Sequence, residues 1–173
     1  MTKAWPEPVE RVADFLKQAG AEARIEEFDE DAATAADAAR AAGCAPEQIV
    51  KSVLLVADGT PMLVLAPGDR RLDVKKIARA VEAKKARFAT HEEVEAATGF
   101  APGGVAPFPL PGVARTVCER TLLALPLVWV GAGSPRHLAS LAPRELVRLA
   151  RAEPMDVVTE PTYDAPSPDP GGS

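Results

Sequence analysis

At 173 residues, 47% hydrophobic and 26% charged, the chain has the length and composition of one globular domain with a real core. Its formal charge of −5, with Glu160, Asp164 and Asp169 in a base-free C-terminal stretch, argues against a broad DNA-coating surface. No apolar run approaches the roughly 20 residues of a membrane span, and "MTKAWPEPVERVADFL" lacks the apolar heart of a signal peptide, so a cytoplasmic protein without a membrane partner is expected.

In chain order, Val9, Val12, Ala13 and Leu16 recur at helical spacing and Gly20 closes the pattern, which predicts an amphipathic helix over 8–19. "ARIEEF" reads as a strand. Thr34 followed by Asp37 resembles a capping box and opens an alanine-rich helix that Gly43 stops. The runs on either side of "ADGTP" predict a hairpin over 49–66. Asp73 caps a helix to about Val81; "ARFA" is a short strand; Thr90 and Glu93 start a helix that ends at Thr98–Gly99. "VARTVCE" and "LVWVGAG" read as strands separated by a helical turn at 120–124, Pro143 opens a last helix, and "DVV" adds a terminal strand. Strands and helices interleave, yet hairpins are present, so the expected class is a single α+β domain over 1–159 with a mixed sheet. The acidic Pro/Gly/Ser-rich tail, 160–173, is expected to be disordered.

Lys51 breaks the otherwise apolar strand "EQIVKSVLLVADG". Alternation sets it on the face of Ile49, Val53 and Leu55, where it either snorkels to an edge or points into a cavity that uses a charge. Among the familiar catalytic patterns, G-x-S-x-G, G-x-x-x-x-G-K, C-x-x-C and H-E-x-x-H are absent. Cys44 and Cys118 lie far apart and read as reduced thiols. No protein nucleophile, metal or cofactor is called for. The loop "GFAPGGVAPFPLPG" carries Gly103 and Gly104 between Pro102 and Pro107. It is either a rigid connector or a set of fixed amides aimed at an ester or phosphate oxygen. "VGAGSPRH" ends a strand in a glycine-rich turn with Ser134 and His137 at hand. Arg70, Arg71, Lys75, Lys76, Lys84, Lys85 and Arg87 form either a solvated surface or a phosphate-contacting lip.

Three segments, taken in order, carry a resemblance: "PEQIVKSVLLVADGTPMLVLAPGDRRLDVKKIARAV", "TGFAPGGVAPF" and "VWVGAGSPRHLASLAPREL". From about Val9 to Val158 the chain resembles the YbaK/prolyl-tRNA-synthetase-associated domain family, trans-editing enzymes that deacylate mischarged tRNA. The resemblance implies a curved mixed β-sheet with surrounding helices and a pocket for the aminoacylated 3′ end of tRNA. It makes Lys51 the pocket lysine needed for activity. By the same resemblance Gly99, Phe100, Gly103, Gly104, Val105 and Pro107 line the site, as do Gly131, Gly133 and Ser134. Phe28 matches an aromatic residue ahead of the alanine-rich helix, and Thr34 lies just beyond it. His137 stands where several relatives carry an apolar residue and some alanine-editing relatives use a histidine nearby. Many relatives have Tyr at position 100 and Ser at 106, where this chain has Phe100 and Ala106.

The expected activity is hydrolysis of the ester in a misacylated tRNA, Cys-tRNA(Pro) first. The substrate's own thiol attacks in the cysteine-editing branch of the family, whereas an alanine-editing branch activates water. Ala-tRNA(Pro) or another small aminoacyl-tRNA, and a non-catalytic module that binds tRNA or a synthetase, are the alternatives. Prolyl-tRNA synthetase is an expected partner.

Overall fold

The periodic apolar stretch near the start folds into α1 (Glu7–Gln18), with Val9, Val12 and Leu16 on its buried face. The computed structural model describes residues 4–29 and 34–160, so the expected tail beyond Glu160 lies outside the described residues. β1 (Ala23–Glu27) precedes α2 (Ala35–Ala42), whose limits are set locally. The Thr34 hydroxyl oxygen accepts from the Asp37 N–H at 3.0 Å, and Gly43 ends the helix at φ 70°. β2 (Ile49–Ala57) and β3 (Thr60–Pro67) make the expected hairpin. Asp58 and Gly59 turn it at φ 48° and 80°, the pair of left-handed residues that matches strand twist. The Asp58 carboxylate fastens this turn by accepting from the backbone N–H groups of Lys84 and Lys85, at 3.0 and 2.9 Å.

Next come α3 (Val74–Ala80), β4 (Ala86–Phe88) and α4 (His91–Thr98), with Asp73 capping the first helix and a reciprocal Thr90–Glu93 box capping the second. An irregular stretch leads to β5 (Arg115–Glu119), a 3₁₀ turn at Arg120–Ala124, β6 (Val128–Ser134), β7 (His137–Leu141), α5 (Pro143–Ala150) and β8 (Ala152–Met155).

Two strands differ from expectation. β7 has no counterpart among the strands read from the sequence. Four of its five residues are buried, so the two-residue alternation that marks a half-exposed strand is missing. The terminal strand lies at 152–155 rather than 156–158. Pro154 is tolerated there because β8 is the sheet's edge, while Val157 and Val158 pack inward and Val158 bridges Leu72.

The eight strands form one mixed sheet in the order β1-β7-β6-β2-β3-β5-β8, with β4 also on β2. Layers cover both faces, which is why β2 and β3 read as continuous apolar runs. Val50, Leu54, Leu63 and Leu65 face a core shared with α1, α5, Phe100 and Phe108. Leu55, Met62, Val64 and Ala66 face a second cluster with Ile77 of α3, and Ile49, Trp129 and Leu138 a third with α2. This is a single α+β domain.

Strand β2 divides the sheet unevenly. Along one edge β3 follows it from Val50 to Ala57. Along the other, β6 pairs only with Ile49 and Val50, and β4 only with Leu55 to Ala57. The two partners therefore part around residues 51–54.

The loop after α4 is pressed onto β6 backbone to backbone. A Cβ on Gly131 would sit 2.5 Å from the Val105 carbonyl oxygen, and one on Gly104 would sit 3.0 Å from the Ser134 Cα. Gly133, at φ 107°, is blocked by the start of α1, with Pro8 backbone atoms 2.8 Å from a Cβ position; Gly103, at φ 90°, has open space. Gly133→Ala is therefore expected to cost about 2–3 kcal/mol and lower Tm by about 4–12 °C. Gly103→Ala, which meets backbone strain alone, should cost about 1 kcal/mol. Thermal denaturation of the two variants side by side checks the difference.

Candidate active site

Where β6 and β4 part from β2, a cavity of about 270 Å³ opens. Its floor is Ile49 to Ser52 of β2, and Thr34, Ala35 and Ala38 bring the N-terminal turn of α2 to it. Gly103 and Val105 come from the loop, and Gly131, Ser134 and Leu138 from the β6–β7 hairpin.

Lys51 is the charge in this space. It falls between the apolar cluster that holds Leu55 and the one that holds Ile49, and its cross-strand neighbour is the small Ala66. The side chain is half-buried, and its ammonium donates to the Arg70 carbonyl. Burial pulls its pKa below the ordinary lysine value, against which Asp69 pulls it back up. Of the two placements open from the sequence, the lysine takes the cavity.

Six of the expected site residues line the cavity together: Lys51, Thr34, Gly103, Val105, Gly131 and Ser134. The others are placed elsewhere, each for a visible reason. Phe100 is fully buried in the main core, with the Arg11 guanidinium 4.7 Å from its ring centroid. Gly99 is the left-handed stop of α4, and its carbonyl accepts from Arg11 at 3.0 Å. Pro107 belongs to a larger cleft of about 710 Å³, which Phe15, Phe108, Arg115 and Arg148 help to line. Volume alone favours that cleft; the smaller cavity is the better candidate because it brings a lysine and three hydroxyl residues, Thr34, Ser52 and Ser134, together. Gly104 and Gly133 are packing glycines, and the Gly104 N–H donates to Ala101 at 3.0 Å within the loop. That amide is spent within the loop, as the rigid-connector alternative has it at this position. Phe28 stacks edge-on to Trp129 with centroids 6.1 Å apart, outside the cavity lining. His137 is 2% exposed and stands behind Ser134, its Nδ1 2.5 Å from the Ser134 Oγ.

The basic lip is partly spoken for. Arg70 donates to the Thr159 carbonyl at 2.6 Å, Lys76 to Asp156 at 3.0 Å, and Arg87 forms a two-pronged pair with Glu93 at 2.7 and 2.9 Å. Arg71, Lys75, Lys84 and Lys85 remain exposed.

The sequence pattern of the aminoacyl-tRNA editing domain matches residues 29–149, a span that holds every residue lining the cavity. The chain belongs to this family. Its members are aminoacyl-tRNA deacylases, and aminoacyl-tRNA is the substrate the fold implies. EbsC of Enterococcus faecalis, named as a candidate Cys-tRNA(Pro)/Cys-tRNA(Cys) deacylase, is 27% identical over 134 residues, covering 77% of this chain and 82% of that one. The proline–tRNA ligase of Nitratidesulfovibrio vulgaris is 39% identical over 80 residues, which are 46% of this chain but 14% of the ligase. A crystal structure described as a candidate trans-editing enzyme for prolyl-tRNA synthetase superposes with a TM-score of 0.85 at 35% identity, covering 91% of this chain and 100% of that one.

For an editing domain, what the sequence left unread is the second rank of groups. Glu27 behind His137, the Arg70 carbonyl on Lys51, and Ala35 and Ala38 at the cavity carry no motif of their own. Among the described residues no helix is long and apolar enough to cross a membrane.

A charge held half out of water does not serve the fold. Lys51→Met is accordingly expected to keep Tm within about 4 °C of the parent, a shift equivalent to roughly 1 kcal/mol, in a differential scanning measurement. A drop several times larger would assign the lysine a structural task instead.

Proposed function

We propose that the protein hydrolyses the ester of Cys-tRNA(Pro), freeing the tRNA from a mischarged cysteine. Lys51 in the small cavity carries this reading: a half-buried ammonium between apolar clusters has little use without an anionic or polarised guest. At about 270 Å³ the cavity lies below the usual range for drug-sized ligands, which suits a small aminoacyl group and disfavours an aromatic one.

In the proposed reaction Lys51 binds a terminal phosphate or the ester oxygen on which charge develops. The glycine-backed wall at Gly103, Val105 and Gly131 confines the acyl group. With cysteine, the substrate sulfur forms a bond to its own carbonyl carbon as the bond to the ribose oxygen breaks. The thiol proton passes to that leaving oxygen, and water opens the product afterwards. With alanine, water must attack directly. The likeness to EbsC favours cysteine. Prolyl-tRNA synthetase is the proposed partner that confers tRNA selectivity, supported by the match to a segment of proline–tRNA ligase. In this proposal residues 1–159 form the editing domain and 160–173 a tail.

The test is a panel of Cys-, Ala- and Pro-charged tRNA(Pro). Cys-tRNA(Pro) should be deacylated fastest, and Lys51→Ala should lower kcat/KM by about 100-fold or more. Faster loss of Ala-tRNA(Pro) moves the specificity to alanine. Firm binding of charged tRNA without turnover makes the protein a tRNA-binding module.

A further inference from the structure

We propose that Ser134 is the acceptor for the α-ammonium group of the aminoacyl ester, held in that role by the buried His137, behind which stands the exposed Glu27 carboxylate. The inference rests on the deacylase reading and names the part of the substrate that this wall of the cavity takes.

The Ser134 Oγ lies 2.5 Å from Nδ1 of His137, and a Glu27 carboxylate oxygen lies 3.4 Å from Nε2 on the ring's far side. The imidazole is 2% exposed, and the Trp5 ring meets it edge-on with centroids 5.7 Å apart. In this proposal the neutral ring carries its proton on Nε2, the tautomer that a carboxylate 3.4 Å from that nitrogen favours, and Nδ1 is a lone-pair acceptor. The Ser134 hydroxyl proton therefore goes to Nδ1. Of the two Oγ lone pairs, one accepts from the Arg136 N–H at 3.1 Å. The other is left for a guest, and Ser134 lines the cavity while His137 does not.

A hydroxyl whose proton is committed along such a chain is a stronger acceptor than an isolated one. Lys51, lining the same cavity, can only donate. An aminoacyl ester presents the matching pair two bonds apart: a carbonyl that gains negative charge, and an amine that carries positive charge. Lys51 suits the first and Ser134 the second. A nucleophilic Ser134 is disfavoured by the same geometry. The imidazole is sealed behind the serine, so it has no direct path for returning a proton to the leaving ribose oxygen.

The probe is 3′-amino-3′-deoxyadenosine carrying alanine through an amide, which binds without turning over, prepared with a free and with an N-acetylated α-amine. Calorimetric titration of the full chain should show the free amine bound about tenfold or more tighter than the acetylated form. Ser134→Ala should erase that ratio, and Glu27→Gln, at an exposed carboxylate far less critical for folding, should reduce it. Equal affinity of the parent protein for both probes overturns the proposal. So does a ratio that survives Ser134→Ala, or an acyl group trapped on Ser134 during turnover. Deacylation of charged tRNA is scored separately, so a failure of the enzyme reading shows there and not in the binding ratio.

Discussion

The site exists because β2 changes partners part-way along one edge. β6 holds its first two residues, β4 its last three, and the strands between diverge. An edge left unpaired inside a domain is costly, since backbone groups there need partners or water. Here the gap is roofed by α2 and by the loop at 101–106, and the space that remains is the cavity. A continuous third ladder along β2 would close it. Lys51 reaches an open volume because of this split and not because the strand is exposed.

Keeping that roof in place falls to close backbone contact. The loop rests on β6 where Gly131 and Gly104 lack side chains, and α1 rests on Gly133. Gly104 and Gly133 act one layer behind the cavity wall, to which Gly131 itself belongs. Arg11 extends the same bracing, holding the Gly99 carbonyl and covering the Phe100 ring, so that α1 fixes the point at which the loop leaves α4. One amide of the loop, that of Gly104, is used to shape the loop through its bond to the Ala101 carbonyl. The polar side chains that line the cavity are those of Lys51, Thr34, Ser52 and Ser134.

This division explains what could be read from the sequence. Elements with local signals were legible: the Thr34 and Thr90 caps, the Asp58–Gly59 turn, and the apolar hairpin around Lys51. So was the lysine, because a charge in a run of Val and Leu has no local excuse. β7 was not legible, since a short strand buried on both faces shows no period. The glycine loop stayed open between connector and ligand wall because glycine serves two ends with one letter. It frees a backbone to meet a ligand, and it lets two backbones meet each other. Only the packing separates these, and at Gly104, Gly131 and Gly133 the packing supplies the neighbour. Glu27 and His137 are over a hundred residues apart and meet through the β1–β7 register, which no motif announces.

The departures from the family's loop pattern acquire a physical meaning from the same arrangement. Phe100 and Ala106, where many relatives carry hydroxyls, are both fully buried, and neither lines the cavity. A hydroxyl at either place would need a partner in a core of Val, Leu and Phe, at a cost of about 1–3 kcal/mol if unmet. Their absence in this chain strengthens the core without taking a polar group from the site. Hydroxyls are kept where the chain already pays for their orientation: Thr34 through the cap it gives α2, and Ser134 through His137 and the Arg136 amide. In both cases the same contact that stabilises the local backbone also fixes the direction in which the remaining lone pair or proton can point. Fold and site are thus specified by the same bonds, and a substitution at either hydroxyl acts on orientation as well as on contact.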